Sequence, residues 1–199
     1  MFLTKTNSTD GRKKSPVEWR LEISMEKGLV HIYCGDGKGK TTAATGLAVR
    51  CAGAGGSILW FQFLKRDTSG ERISLGRLEN ITLLQGYDKM KFTFAMTDEE
   101  KQEAALFYNN AMDRIKKMVQ SENYDMLILD ETFGAINTGM ISEDIIIEFL
   151  KNKPAGLEVV MTGREPSERI MEYADYISEI RKIKHPYDRG IQSRKMIEY

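Results

Sequence analysis

The sequence has few cysteines, no excess of charge of either sign and no long apolar run. Its two cysteines, Cys34 and Cys51, show neither CxxC spacing nor neighbouring histidines, which argues against a disulfide framework or a structural zinc site. The 29 basic and 29 acidic residues cancel, so electrostatics gives no argument for nucleic acid or an anionic membrane as a partner. No apolar run approaches the roughly 20 residues that a membrane-spanning helix needs, and the N-terminus lacks the apolar centre of a signal peptide. We therefore expect a cytoplasmic protein without nucleic acid or membrane partners.

Residues 1–26 differ in composition from the rest of the chain. They are polar, rich in serine, threonine and lysine, and interrupted by Gly11 and Pro16, which predicts a mobile leader. Met25 lies directly before the first apolar segment and is a candidate alternative start. Whether the leader has a function or reflects a start codon placed too early stays open. Residues 27–199 are predicted to form one domain, for which a hydrophobic content of 41% is sufficient.

The domain alternates short apolar runs with helical patterns. Such alternation predicts an α/β fold with a mostly parallel sheet and helices on both faces. A capping box at Thr97 and Glu100 opens a long helix with an apolar face, and Ser142 caps a shorter one. Strands are predicted at residues 29–34, 58–63, 81–84, 125–130, 157–162 and 176–183, and further helices at 41–52, 143–150 and 167–174.

The most specific motif is a glycine-rich loop between the first strand and the first helix. Glycines there let backbone N–H groups converge on phosphate oxygens, and the following helix N-terminus favours negative charge. Lys40 supplies a mobile cation, and the Thr41 hydroxyl can ligate Mg²⁺. Cys34 stands where the usual pattern has glycine. The loop predicts a P-loop nucleotide site with the sequence Cys34-Gly35-Asp36-Gly37-Lys38-Gly39-Lys40-Thr41-Thr42.

A carboxylate pair ends the fourth predicted strand. Asp130 and Glu131 follow the apolar run Leu127-Ile128-Leu129, at the carboxyl edge of the sheet, where ligands of such folds bind. Either carboxylate could hold the metal, directly or through water. In an ordinary ATPase a glutamate placed like Glu131 activates water.

Several further short blocks occur in a defined order: Gln62-Phe63-Leu64-Lys65, Gly70-Glu71, Thr162-Gly163-Arg164, Ala174-Asp175-Tyr176 and Lys184-His185-Pro186-Tyr187-Asp188. Together with the phosphate loop and the carboxylate pair, they resemble the P-loop family of ATP:corrinoid adenosyltransferases. The resemblance extends from about residue 28 to residue 199. One departure is Lys195-Met196, where the family pattern has a glycine.

The resemblance implies a reaction in which a Co(I) corrinoid attacks the 5′ carbon of ATP and expels triphosphate. It also implies a RecA-like sheet, a homodimer, Mg²⁺ (or Mn²⁺) and a reduced flavoprotein as electron donor. The implied enzyme is an ATP:cob(I)yrinic acid a,c-diamide adenosyltransferase, although cobinamide or complete cobalamin stays open as the physiological acceptor. Lys40, Glu131 and Arg164 carry over as catalytic residues, although Arg164 could instead be a surface cation. The loop residues Gly35 to Thr42 carry over as ATP-binding, and Thr41, Asp130 and Glu131 as metal-binding.

The corrinoid side of the site is carried by a loop over residues 86–96. Family members use aromatic side chains there to remove the lower ligand of cobalt, and Phe92 and Phe94 match that pair. The competing interpretation makes both of them strand residues packed on the core. His31 alternates within the first strand and reads as a structural histidine, whereas the sequence does not disclose the role of His185.

Two other functions compete with adenosyl transfer. One is an ATPase or nucleotide kinase, which would release ADP. The other is a non-catalytic, nucleotide-dependent corrinoid carrier, which would bind both ligands without turnover. The aromatic pair and the block around His185 favour the transferase, because a general nucleotidase has no reason to contain them.

Overall fold

The computed structural model describes residues 27–65, 67–91 and 93–198. Within them, six parallel strands form one sheet in the order β3-β2-β4-β5-β1-β6. The strands are β1 Val30–Cys34, β2 Ile58–Gln62, β3 Ile81–Leu83, β4 Met126–Asp130, β5 Glu158–Thr162 and β6 Tyr176–Glu179. The helices are α1 Lys40–Gly53, α2 Gly70–Leu75, α3 Asp98–Ser121, α4 Thr132–Asn137, α5 Glu143–Asn152 and α6 Glu168–Met171. The predicted leader, residues 1–26, lies outside the described residues.

The two faces of the sheet are covered by different helices, as the unbroken apolar runs of the central strands predict. Every residue of β2 and β4 is buried. Side chains of one face pack with the long helix α3 and with α5, and those of the other face pack with α1, through Ala44 and Ala48. The predicted α/β fold with helices on both faces is therefore confirmed.

The long helix α3 begins as the sequence predicts. Thr97 accepts a hydrogen bond from the backbone of Glu100, whose carboxylate accepts one from the backbone of Thr97. The predicted apolar face is buried, and the hydroxyl of Tyr108 on that face accepts a hydrogen bond from the backbone N–H of Leu64. The helix thus fixes the segment that follows β2.

Strand β6 is shorter than predicted and exposed along its length. The strand ends at Glu179 rather than at residue 183 because the next residue turns toward the phosphate loop. Ile180 donates its N–H to the Cys34 carbonyl and accepts a hydrogen bond from the N–H of Gly37. The sheet edge is thereby tied to the predicted phosphate loop.

Three further elements differ from the sequence prediction. The helices α2 and α4 were not expected, and α6 spans four residues of the predicted range 167–174. All three have at most six residues, too few for a hydrophobic period to show. Among the described residues, no helix combines the length and the apolarity needed to cross a membrane.

Candidate active site

The carboxyl ends of β1, β5, β4 and β2 lie side by side and surround a cavity of about 700 Å³. The phosphate loop forms one wall. Gly35 and Gly39 have φ values of 99° and 124°, a region that favours glycine. A Cβ at Gly37 would lie 2.7 Å from the Ile180 carbonyl oxygen. The loop residues lining the cavity are Asp36, Gly37, Lys38, Gly39, Lys40, Thr41 and Thr42.

Lys40 opens α1 and turns back over the loop. Its Nζ donates hydrogen bonds of 2.8 Å to the carbonyl oxygens of Gly35 and Gly37. Burial lowers the pKa of this ammonium, and the charge of Glu131 partly offsets the effect. The lysine lies where the sequence placed it, within the loop whose N–H groups would surround a phosphate.

Asp130 is fully buried at the end of β4 and accepts hydrogen bonds from four side chains. Its Oδ1 accepts from the hydroxyls of Thr41, at 2.9 Å, and Thr162, at 2.7 Å. Its Oδ2 accepts from Gln62 Nε2, at 3.1 Å, and from Lys65 Nζ, at 2.8 Å. Asp130 therefore fixes the Thr41 side chain at the start of α1.

Glu131 adopts the left-handed conformation, with φ 59°, as the cap of α4. Such a backbone is costly for a residue other than glycine and is held in place by the surrounding structure. The side chain lines the cavity. Burial, and then the charge of Asp130, raise the pKa of its carboxyl, while Lys65, Lys40 and Arg164 act in the opposite direction.

Arg164 follows β5 and lines the same cavity as Lys40 and Glu131. The structure therefore brings together the three residues that the family resemblance marks as catalytic. Their roles in the reaction stay predictions, because shared position alone does not establish chemistry.

The sequence analysis missed four polar residues at this edge: Gln62, Lys65, Glu71 and Thr162. Lys65 and Glu71 line the cavity, and Gln62 and Thr162 bind Asp130. Gln62 ends the strand next to β4 and stands opposite Asp130 in register, a relation between strands that no local sequence pattern encodes. In the sequence, the blocks that contain these residues contribute only to the family resemblance.

The two histidines have different environments. His31 is hydrogen-bonded through Nε2 to Glu158 and stacks on Tyr176 with the ring centroids 4.5 Å apart. This confirms its structural interpretation. His185 lines the cavity, and its Nδ1 accepts a hydrogen bond from the N–H of Tyr187, capping a short 3-10 helix.

Of the aromatic pair, Phe92 lies outside the described residues. Phe94 belongs to a 3-10 helix, Thr93–Ala95, and its side chain is 86% exposed. The alternative that Phe94 is a strand residue packed on the core is therefore wrong. Phe94 is not one of the described residues lining the phosphate-loop cavity, so its role toward the corrinoid stays a prediction.

Comparisons with known proteins show the family of this chain. The family described as ATP:corrinoid adenosyltransferase BtuR/CobO/CobP matches residues 26–199. A corrinoid adenosyltransferase of Escherichia coli (strain K12) is 31% identical over 192 residues, covering 94% of each protein. The corrinoid adenosyltransferase CobA of Salmonella typhimurium is 32% identical over 181 residues, covering 89% of each.

Among solved structures, EssC (ATPases 2 and 3) from Geobacillus thermodenitrificans aligns at 16% identity with a TM-score of 0.48. The alignment covers 86% of this chain and 35% of that one, and a score this low adds no argument. The family match, in contrast, covers the whole described sheet and the cavity at its carboxyl edge. This chain belongs to the ATP:corrinoid adenosyltransferase family.

Proposed function

We propose that the cavity beside the phosphate loop holds the triphosphate of ATP while its adenosyl group passes to the cobalt of a corrinoid. Family membership makes ATP-dependent adenosyl transfer to a corrinoid the activity of this chain. In that reaction a cobalt–carbon bond forms, the bond between C5′ and its oxygen breaks, and the electron pair leaves with triphosphate. The observation that supports the site is the convergence of Lys40 and Arg164 on one cavity with the phosphate loop.

The loop and the two cations would act mainly on the leaving group. Backbone N–H groups from Gly35 to Thr42 would hold the phosphate oxygens, and Lys40 would leave its carbonyl partners for them. Negative charge grows on the triphosphate as the carbon–oxygen bond breaks. Fixed cations in a partly buried site stabilise that developing charge more strongly than water does.

The oxygen atoms of the site suit Mg²⁺ (or Mn²⁺). The Thr41 hydroxyl and the Asp130 carboxylate already converge on a cation, the Lys65 ammonium, and Glu131 lines the same cavity. Hydroxyl, carboxylate and phosphate oxygens are the ligands this ion prefers. We assign Thr41 and Glu131 as direct metal ligands. Asp130 already accepts hydrogen bonds from four side chains, so we assign to it the orientation of Thr41. The ion would neutralise phosphate charge.

For the acceptor we propose cob(I)yrinic acid a,c-diamide, bound with its lower face against Phe92 and Phe94. Apolar rings on that face would exclude the lower ligand, and four-coordinate Co(II) accepts an electron more readily. We further propose a homodimer, a reduced flavoprotein as electron donor and a cytoplasmic location, where ATP and reductant are both supplied.

One anaerobic experiment tests this function. The protein is incubated with ATP and chemically reduced cobyrinic acid diamide, cobinamide or cobalamin. The readouts are the light-sensitive cobalt–carbon product and the nucleotide products. We expect triphosphate in a one-to-one ratio with adenosylated corrinoid, and the highest kcat/KM for the diamide. ADP as the main corrinoid-dependent product would support the ATPase or kinase, and binding of both ligands without turnover would support the carrier.

A further inference from the structure

The Lys65 ammonium lies between the Thr41 hydroxyl, which we assign to the metal, and the Asp130 carboxylate, which orients that hydroxyl. Its Nζ is 2.9 Å from Thr41 Oγ1 and 2.8 Å from Asp130 Oδ2. The Thr41 hydroxyl donates its own proton to Asp130 Oδ1. The hydroxyl therefore accepts from Lys65 with one of its two lone pairs, and a metal ion on Thr41 would share this oxygen with the ammonium.

A metal ion and Lys65 on the same oxygen would be close neighbours of like charge. Mg²⁺ binds oxygen at about 2.0–2.1 Å, so an ion on Thr41 Oγ1 would lie against the ammonium. Two cations at such a distance repel each other strongly in a partly buried site. Metal binding at Thr41 therefore requires Lys65 to move.

Lys65 also neutralises a buried charge while it is in place. Asp130 has no exposed surface, and its other three donors, Thr41, Thr162 and Gln62, are neutral groups. A buried carboxylate without a cation is strongly destabilising. Some cation is therefore needed beside Asp130, and Lys65 is the cation present.

A second position for Lys65 exists in the same cavity. Its side chain is 30% exposed and lines the space shared with Lys40 and Arg164. A flexible lysine stem can move its charge by several ångströms. A triphosphate bound there would offer Lys65 anionic partners in addition to Glu71 and Glu131, which line the same cavity.

We propose that Lys65 is a resident cation that exchanges with the metal: it holds Thr41 and Asp130 until nucleotide arrives, and then moves to the phosphates. Free Mg²⁺ is consequently excluded from the site, and the metal enters together with ATP. Lys65 is thus a positioning residue that sets the order of binding. This inference rests on the proposed function of Thr41 as a metal ligand that Asp130 orients.

The test measures metal binding without corrinoid and without turnover. Mn²⁺ is titrated into the protein, with and without a non-hydrolysable ATP analogue, and bound ion is counted by electron paramagnetic resonance. We expect wild-type protein to bind Mn²⁺ weakly until the analogue is present. Lys65→Met should bind Mn²⁺ at least about tenfold more tightly without nucleotide, because a like charge has been removed. Lys65→Arg should resemble the wild type.

Two controls locate the effect. Lys116→Met removes the same charge from α3, where Lys116 pairs with Glu148 of α5 and does not line the cavity, and should leave Mn²⁺ binding unchanged. Adding Thr41→Val to Lys65→Met should abolish the gain. If Lys65→Met binds nucleotide-free Mn²⁺ no more tightly than wild type, or if Lys116→Met gains equally, the exchange does not occur.

Thermal unfolding gives a second readout. Lys65→Met should unfold at a lower temperature than wild type and recover with Mg²⁺ alone, whereas wild type should respond only to Mg²⁺ with nucleotide. Lys65→Gln, which keeps a hydrogen-bond donor without charge, takes its place if the methionine variant does not fold. An absence of Mg²⁺ rescue in the folded variant overturns the proposal. The anaerobic product assay judges the proposed function separately, since neither readout here depends on adenosyl transfer.

Discussion

At the scale of single residues, the site is built from charges that are buried in pairs. Asp130 is neutralised by Lys65, and the pKa of Lys65 is raised because its carboxylate neighbours outweigh the effect of burial. Lys40 differs from Lys65, since it is buried and binds backbone carbonyls rather than a carboxylate. The lysine that we propose to face the phosphates thus has no carboxylate hydrogen bond to give up.

The first prediction follows for Lys40. Lys40→Ala should lower kcat/KM for ATP by at least about 10²-fold, since one charge-assisted contact at such a site contributes about 3 kcal/mol. The measurement is the initial rate at limiting ATP with a chemically reduced corrinoid. Lys116→Ala, on α3 and away from the cavity lining, is the matched control and should retain activity. A near-normal rate for Lys40→Ala would mean that ATP binds elsewhere.

Cys34 shows how a departure from a motif can be harmless. The residue stands where the usual phosphate loop has glycine, yet it is the last residue of β1 and pairs in register with Glu179. Its side chain is buried in the core and its φ is not positive. The backbone at this position does not need glycine, whereas Gly35, with φ 99°, does.

At the scale of elements, α3 connects the loop that we propose to face the corrinoid with the segment that follows β2. Its first turn follows the 3-10 helix that carries Phe94, and its buried face fixes the segment after β2 through Tyr108. The capping box at Thr97 therefore has two effects: it satisfies the first N–H groups of the helix, and it fixes where the preceding loop ends.

Removing the cap should weaken the fold by a moderate amount. Thr97→Ala should lower the free energy of unfolding by about 1 kcal/mol, because the Glu100 N–H loses its side-chain acceptor. Thr97→Ser keeps the hydroxyl and should keep most of the stability. Urea denaturation followed by circular dichroism measures both. Equal stability of all three proteins would show that water replaces the threonine without cost.

The exposed position of Phe94 yields a third prediction. Phe94→Ala should leave the melting temperature within about 2 °C of wild type, because an exposed ring contributes little to the core. Turnover should fall strongly when a flavoprotein supplies the electron, and much less when a chemical reductant has already made Co(I). Leu106→Ala, at another exposed apolar side chain, is the control. Equal loss under both reducing conditions would remove Phe94 from the reduction step.

The elements show which parts of the structure the sequence predicts. Long elements follow from periodicity and caps, as for α3, and the phosphate loop follows from its motif. Lys65 and Thr162 reach Asp130 only through the register of β2, β4 and β5, which no local pattern encodes. Likewise, Glu131 takes a left-handed conformation that its own residue type disfavours. The features that the sequence does not predict depend on contacts between distant parts of the chain.

At the scale of the whole molecule, the C-terminal segment returns to the phosphate loop. The N–H of Lys182 donates to Asp36 Oδ1 at 2.9 Å. Further along, the segment lines the cavity through Met196, Ile197 and Glu198. Glu198 is held there by Arg194, which lowers the pKa of its carboxyl to about 2. The phosphate loop follows the first strand and this segment follows the last strand. Early and late parts of the described chain therefore line one cavity.

The last prediction compares two truncations. A chain ending at Gly190 keeps β6 and the bonds of Ile180 to the phosphate loop, so it should fold with an unchanged melting transition. It loses Met196, Ile197 and Glu198 from the cavity wall, and its KM for ATP should rise by about fivefold, or about 1 kcal/mol. A chain starting at Met25 removes nearly all of the predicted leader and should retain most activity and an unchanged KM for ATP. An unchanged KM in the first protein would show that the C-terminal segment does not contact ATP. A large rise in corrinoid KM in the second protein would show that the leader acts at the site. An unchanged KM for ATP and an unchanged melting temperature in that protein would show that the effect is local.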